Sequence, residues 1–448
     1  MESLKRIKSI SIVSVGNLGA SLIGFIIHIL VAYYYGATKI SDAFFMARSI
    51  SETIFKFLFI SQASEVFLPL FWEIYKTDKE KAWKFLSSIY ITIFLVTLSL
   101  LTFSLFCGKS IVKFFAPGFS HETVILSTGV LPFWILFMVS FLGLQIVMVV
   151  FQNFGNFLIP SIVLLINPTI ALMIFLIFKH CYGIYALACG YFIGEFLGFV
   201  ILTIILIKKY EFRLSFTIEK GPIINYLRKL GTFLFSNSAT FFSGFAYKIS
   251  ISLLPVGILS IIEYAHRLFI FVCNITFMPV SNVAFPELTK ITKFENFANV
   301  IEKSVKVIGL MSLAVVVFTF VFGQRLIMFV FHRGNFTLEN ISLLTIAFGL
   351  YALSLFPDGV YTLLRKATLA LKDISSVVKI GIIGETFQGL LFVILSWMLG
   401  YIGIILASFI TTIVLTSIYY FYFFTYRKAV LYPINFLFPS QKVIGRKN

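Results

Sequence analysis

The chain has 448 residues, 59% of them hydrophobic and only 12% charged, with a net charge of +17 and a mean hydropathy of +0.98. A soluble domain is about a quarter charged, so this much apolar surface cannot be hidden in a water-facing globule, and the chain reads as an all-α polytopic membrane protein. Its Lys and Arg fall in short clusters between apolar runs, which is a topology signal and not a nucleic-acid-binding stripe, so no nucleic-acid partner is expected.

The N-terminus reads MESLKRIK and turns apolar from Ile10 to Tyr35. No small-residue cleavage pattern follows a short apolar core, so this is an uncleaved first helix and not a signal peptide. Runs of spanning length fall at 9–35, 41–74, 82–107, 121–151, 157–179, 183–207, 222–255, 258–289, 299–323, 337–364, 375–399 and 401–426. Several exceed the ~20 residues a span needs, so tilt or kinks are expected, with Pro132, Pro168, Pro279 and Pro357 as candidate kink sites. With the N-terminus inside, 26 Lys and Arg fall in inside segments and 6 in outside ones. A missed or extra helix would scramble that bias, so twelve spans with both termini cytoplasmic are expected.

The longest polar connection, 208–222, separates two six-helix halves. Gly36-x5-Asp42 after the first span is echoed by Gly257-x5-Glu263 after the seventh. Ser110 to Ser120 is echoed in type by Leu326 to Phe336. An even number of spans per half gives a parallel repeat with its pseudo-two-fold along the membrane normal, a design that places substrate between the halves. The expected division is 1–213, 214–427 and a basic cytoplasmic tail at 428–448, which reads as lying on anionic lipid.

The second span carries the densest charge: Asp42, Arg48, Glu52, Lys56 and Glu65 in mostly apolar sequence. Arg48, Glu52 and Lys56 are spaced i, i+4, i+8 and share one face, with the carboxylate in the middle. A charge in hydrocarbon survives only against protein or in a wet cavity, so this face is either an internally neutralised structural one or the lining of a cavity for an anionic solute. The eighth span repeats the theme. Glu263 with His266 (i, i+3) and Arg267 (i, i+4) form either a structural ion pair or a site in which the Arg267 fork is free for a phosphate. His266 could titrate near neutral pH, but a satisfied polar group is the blander reading. Lys248 adds a cation in the seventh span, two turns before Pro255. Asp358 follows Pro357, where freed carbonyls could hold a cation, although helix-packing pairs explain it as well. Glu195 lies in the small-residue context Gly194-Glu-Phe-Leu-Gly198 and its role is unreadable.

Gly108-Lys109-Ser110 ends like a phosphate loop, but position 103 is Phe and the segment lies at an outside loop. The loop motif is therefore rejected. Four scattered cysteines without C-x-x-C argue against a disulfide framework or zinc site. No catalytic motif or extramembrane domain is evident, so no catalytic residues, metal or cofactor are expected.

The run Gly36-Ala-Thr-Lys-Ile-Ser-Asp42-Ala-Phe-Phe-Met-Ala47 resembles the signature of the MurJ/MviN lipid II flippase family of the MOP (multidrug/oligosaccharidyl-lipid/polysaccharide) exporter superfamily. Supporting matches are Gly24-Phe25, Phe67-Leu-Pro69, Ala116-Pro-Gly-Phe119, Tyr264-Ala-His-Arg-Leu268, Pro286-Glu-Leu and Arg333-Gly-Asn-Phe336. They extend over nearly the whole chain in family order. The resemblance implies two six-helix lobes in a V, alternating access through a cationic cavity, and transfer of a polyprenyl-diphosphate-linked sugar to the outer leaflet of a bacterial inner membrane. Arg267 matches the family's cavity arginine, and Asp42 its D-A-F-F aspartate. The first-helix pattern R-x-x-G-F-x-R-[DE] reads Ser21-Leu-Ile-Gly-Phe-Ile-Ile-His28 here, with both arginines gone. Lys56 stands near the second-helix arginine position and Arg48 is an added charge. The substrate cavity is thus expected from Arg267, Arg48, Lys56, Lys248, Glu52, Asp42, Glu263 and His266. Membrane lipids and a polyprenyl-diphosphate sugar are the expected partners, a monovalent cation or proton stays open as coupling ion, and a monomer is expected. Another lipid-linked saccharide, such as an O-antigen unit, fits the same chemistry. A cation-extruding antiporter of this fold would want net acid in the cavity, and a sugar-polymer ligase would need an ample outer loop.

Overall fold

The computed structural model describes residues 2–59, 66–216, 219–291 and 294–426. Glu65, Lys293 and the basic tail 428–448 lie outside the described residues. Fourteen α-helices are described: α1 (Glu2–Tyr35), α2 (Lys39–Phe59), α3 (Leu68–Thr77), α4 (Lys79–Phe115), α5 (His121–Asn153), α6 (Leu158–Tyr182), α7 (Ile184–Tyr210), α8 (Lys220–Ser252), α9 (Ile258–Ile275), α10 (Phe277–Leu288), α11 (Phe294–Phe331), α12 (Leu338–Ala370), α13 (Ile374–Leu399) and α14 (Tyr401–Tyr426). Among the described residues, ten are long and apolar enough to cross a membrane. The chain is a multi-pass membrane protein.

The twelve apolar runs map onto these helices, and two of the runs carry two helices each. Run 41–74 is α2 followed by α3, and run 258–289 is α9 followed by α10. Thr276 has φ −92° and ψ −96°, outside helical geometry. Pro279, three residues on, cannot donate to the Ile275 carbonyl and its ring crowds it, so the helix gives way just before. Pro69 likewise lies in the first turn of α3, as its second residue. Helices α5, α6 and α12 instead continue as helix past Pro132, Pro168 and Pro357. Helices α4 and α11 run to Phe115 and Phe331, eight residues beyond their apolar runs, because their last turns are amphipathic and still helical.

The two halves match element by element. Helices α1 to α7 have 34, 21, 10, 37, 33, 25 and 27 residues, and α8 to α14 have 33, 18, 12, 38, 33, 26 and 26. The caps match too. Ser120 caps α5 by accepting from the Thr123 N–H, and Thr337 caps α12 by accepting from the Asn340 N–H. Gly183 and Gly400, between the last two helices of each half, share a backbone geometry of φ 56°, ψ −134° and φ 59°, ψ −134°. The repeat that the sequence showed only faintly is therefore present in every element.

Helices α1–α7 pack on one another, as do α8–α14, and the two sets meet where α1, α2 and α4 face α8, α9 and α11. The connection from α7 to α8 is tied back onto α4, with the Ser215 and Glu219 N–H groups donating to the Ser87 and Ser88 hydroxyls at 3.1 and 3.0 Å, and Phe212 buried against Trp83. At the opposite end of the bundle the α1–α2, α4–α5, α8–α9 and α11–α12 loops converge. Asn335 donates through its N–H to the Tyr33 carbonyl (2.9 Å) and through Nδ2 to that of Tyr34 (2.6 Å), and the Gly118 N–H donates to the Ser252 hydroxyl (3.2 Å).

Gly334 sits in this closure with φ +60°, and a Cβ there would lie 2.2 Å from the Tyr33 carbonyl oxygen. A β-branched residue meets both the left-handed backbone and the neighbouring chain, at a cost of about 1–3 kcal/mol. Gly334→Val is expected to lower the thermal midpoint of the purified protein in detergent by several degrees; an unchanged midpoint contradicts the close approach.

Candidate functional site

Helix α2 turns Arg48, Glu52 and Lys56 to one side, as their spacing requires. Arg48 Nε donates to Glu52 Oε1 at 2.7 Å, and Lys56 Nζ lies 3.7 Å from Glu52 Oε2. The Arg48 guanidinium also stands 5.5 Å over the ring of buried Trp134 on α5. One carboxylate thus serves two cations, and an aromatic face holds the first of them.

From the other half, α9 brings Glu263, His266 and Arg267 to the same place. These side chains and those of α2 bound one cavity of about 260 Å³, completed by His28, Phe45, Ser49 and Ile270. The walls hold three cations and two carboxylates. Glu263 does not pair with Arg267, although i, i+4 spacing permits it; the ion pairs in this cavity, among the described residues, are those of Glu52. Arg267 has neither hydrogen bond nor ion pair among the described residues. Its guanidinium reaches across to α1, where a Cβ at position 24 would lie 3.6 Å from Nη2. Gly24 therefore leaves room for the guanidinium beside the α1 backbone.

Six of the eight expected side chains line this cavity. Asp42 and Lys248 do not. Lys248 is 2% exposed and donates to the Thr53 hydroxyl at 2.5 Å and the Gly244 carbonyl at 2.9 Å, joining α8 to α2. Asp42 is 3% exposed and lies at the closed end of the bundle. Its Oδ2 accepts from the Gly257 N–H at 2.6 Å; its Oδ1 accepts from the Ser260 N–H at 2.9 Å and the Ser260 hydroxyl at 2.6 Å. Gly257 and Ser260 open helix α9, so a carboxylate on α2 caps a helix of the other half and satisfies its orphan donors. Gly257 is required there twice over, by φ +92° and by the Ala37 carbonyl oxygen 2.5 Å from where its Cβ would be. Tyr264, about two turns on, donates its hydroxyl to the Gly36 carbonyl at 2.9 Å.

His28 is the cavity residue that charge spacing missed. It stands where the resemblance has an acidic residue, and that mismatch was the available signal. Its Nδ1 lies 2.8 Å from the Gly24 carbonyl oxygen. His266 also borders a second polar cavity, of about 240 Å³, where Tyr351, Ser354, Asp358, Gln388 and Thr412 gather. There the Ser354 hydroxyl is 3.0 Å from Asp358 Oδ2. Among the described residues, no group of three or more His, Cys, Asp or Glu side chains is placed to hold a metal ion.

Two matched sets of membrane-length helices with a charged cavity between them define a membrane transporter. An inward-facing multidrug resistance MATE transporter of the MOP superfamily superposes with a TM-score of 0.67 at 14% identity, covering 92% of this chain and 93% of that one. A lipid II flippase MurJ in an inward closed conformation superposes with a TM-score of 0.82 at 22% identity, covering 92% of this chain and 87% of that one. The family model "Lipid II flippase MurJ" matches residues 31–442. Among curated relatives, the probable lipid II flippase MurJ of Buchnera aphidicola subsp. Baizongia pistaciae is 26% identical over 85% of this chain and 76% of its own length. That of Aquifex aeolicus is 26% identical over 76% of this chain and 68% of its own. The chain belongs to the MurJ family of lipid II flippases, which are transporters and not enzymes.

Removing the Asp42 carboxylate strands the two α9 N–H groups, at about 1–3 kcal/mol for each unmet donor. Asp42→Ala is expected to loosen the closed end. With the native cysteines replaced by serine, Ser41→Cys, buried beside it, then reacts several-fold faster with a membrane-impermeant thiol reagent than it does when Asp42 is intact. Equal rates contradict the latch.

Proposed function

We propose that this chain flips a polyprenyl-diphosphate-linked saccharide, lipid II as its relatives are named, from the inner to the outer leaflet of a bacterial cytoplasmic membrane. The observation that carries this reading is the Arg267 guanidinium, unpaired among the described residues and facing the same cavity as Arg48 and Lys56. A diphosphate cannot enter hydrocarbon unaided, and a planar fork flanked by two further cations is what it needs. Glu52 and Glu263 offset part of that charge, so that the empty cavity is tolerable inside a membrane. Beyond its first units, the prenyl tail can stay in lipid throughout.

The two sets of helices, 1–213 and 214–427, are then the bodies that rock. The Lys and Arg bias puts both termini in the cytoplasm and the latched loops outside, so the arrangement described is shut toward the outer leaflet. Breaking Asp42 from α9 opens that end. An inside-negative potential favours outward movement of the anion by about 2.3 kcal/mol per charge per 100 mV. For a coupling monovalent cation or proton, the Asp358 cavity behind His266 is the candidate seat. The protein acts as a monomer on this reading, because each chain has its own cavity between its own halves.

Arg267→Ala is expected to fail to support growth of a flippase-depleted strain at normal expression. It should also weaken binding of inorganic diphosphate to purified protein by about tenfold or more, the loss of a charge-assisted bond. Arg267→Lys, which keeps the charge without the fork, should fall between. Normal growth with Arg267→Ala at equal expression contradicts the role.

A further inference from the structure

Beside the charged cavity lies a larger one, of about 570 Å³, and Arg48, Glu52 and Lys56 belong to the walls of both. Its other walls are of opposite character. Phe55 and Phe59 continue the α2 face, while Phe137, Met138 and Phe141 on α5 face them, with Gln145 the one neutral polar side chain among the lining residues. Positions 137, 141, 145 and 149 recur every fourth residue and so form one stripe of α5. Helices α2 and α5 both start at the latched end. The trough therefore leads from the charged side chains toward the other end of the bundle, over roughly 16 Å from residue 48 to residue 59.

We propose that this trough holds the first isoprene units of the lipid carrier, while the diphosphate rests on Arg48, Lys56 and Arg267. The assignment rests on the flippase reading above and deepens it. The stretch of the trough lined by Phe and Met offers an apolar guest a surface that binds water poorly, and the flexible thioether of Met138 adapts to methyl-branched chains. A saccharide fits poorly here. Past Arg48, Glu52 and Lys56, its hydroxyls would leave water for a wall that offers one amide, and each unmet group costs about 1–3 kcal/mol. The seam between charged and apolar walls matches the seam between diphosphate and prenyl chain in the ligand. On this assignment the carrier is recognised by its phosphate–isoprenoid junction, which is common to lipid-linked saccharides whatever sugars they bear.

The test compares three probes on the full-length protein in detergent: inorganic diphosphate, farnesyl diphosphate, and a glycosyl diphosphate without a prenyl chain. Farnesyl diphosphate should bind the unaltered protein more tightly than inorganic diphosphate. Phe141→Gln and Met138→Gln should each cut farnesyl diphosphate affinity by about tenfold, and leave inorganic diphosphate affinity unchanged, which also reports that the variants fold. Phe141→Leu should keep most of the prenyl preference. A short prenyl diphosphate carrying a benzophenone should label peptides spanning residues 137–149. Equal affinity for farnesyl and inorganic diphosphate in the unaltered protein overturns the proposal but leaves the flippase reading standing. Variants that weaken the glycosyl probe and spare the prenyl one overturn it in favour of a saccharide site. Failure of inorganic diphosphate to bind the unaltered protein overturns both.

Discussion

A guanidinium cannot sit in a bilayer-spanning bundle without something to solvate it, and among the described residues Arg267 has no hydrogen-bond or ion-pair partner to do so. Charges in hydrocarbon cost at least several kcal/mol, so the cavity around it is a physical requirement and not an incidental gap in packing. The contrast with Arg48 is instructive. That guanidinium is bonded to Glu52 and backed by Trp134, so α2 neutralises much of its own charge before it meets the other half. Helix α9 does not, because Glu263 leaves Arg267 unpaired. The halves therefore contribute unequally: one presents a largely compensated cluster and the other a guanidinium with no ion pair among the described residues.

The same two helices carry both the cavity and the latch. Asp42 and Arg48 are six residues apart on α2, about 9 Å along its axis, and Ser260 and Arg267 are seven apart on α9, about 10 Å. Relative movement that pulls the Asp42 carboxylate from the α9 N-terminus must also change the spacing between Arg48 and Arg267. The latch itself is economical. One carboxylate takes three donors from a single helix start, where the backbone partial charge already favours an anion. Lys248, bound to Thr53, holds α8 against α2 along the same seam.

Most of the architecture was legible because bilayer chemistry writes strongly into sequence. Apolar length gave the runs, and the Lys and Arg bias tested their number. The breaks were less visible: apolarity runs on through Thr276, and only Pro279 hinted that the backbone does not. The ends of α4 and α11 were hidden for the opposite reason, since hydropathy falls there while the helix continues. At the site, spacing fixed which side chains share a face of one helix. It cannot say which helix that face meets, and so the sequence does not separate Asp42 and Lys248 from the cavity residues, although one caps α9 and the other binds Thr53. Nor could spacing decide whether Glu263 and Arg267 would pair or both turn to the void. His28 escaped notice because a lone histidine in an apolar run has no spacing to read.

Charge selectivity inside the cavity tests the central claim most directly. Ser49→Cys, placed on the cavity wall in a background without native cysteines, can be reacted with anionic and cationic methanethiosulfonate reagents of similar size, each rate normalised to a free thiol in solution. Faster reaction of the anionic reagent, with the preference lost in Arg267→Ala, is the expected result. A preference for the cationic reagent, or no reaction with either, would contradict a water-reachable chamber built to receive an anion.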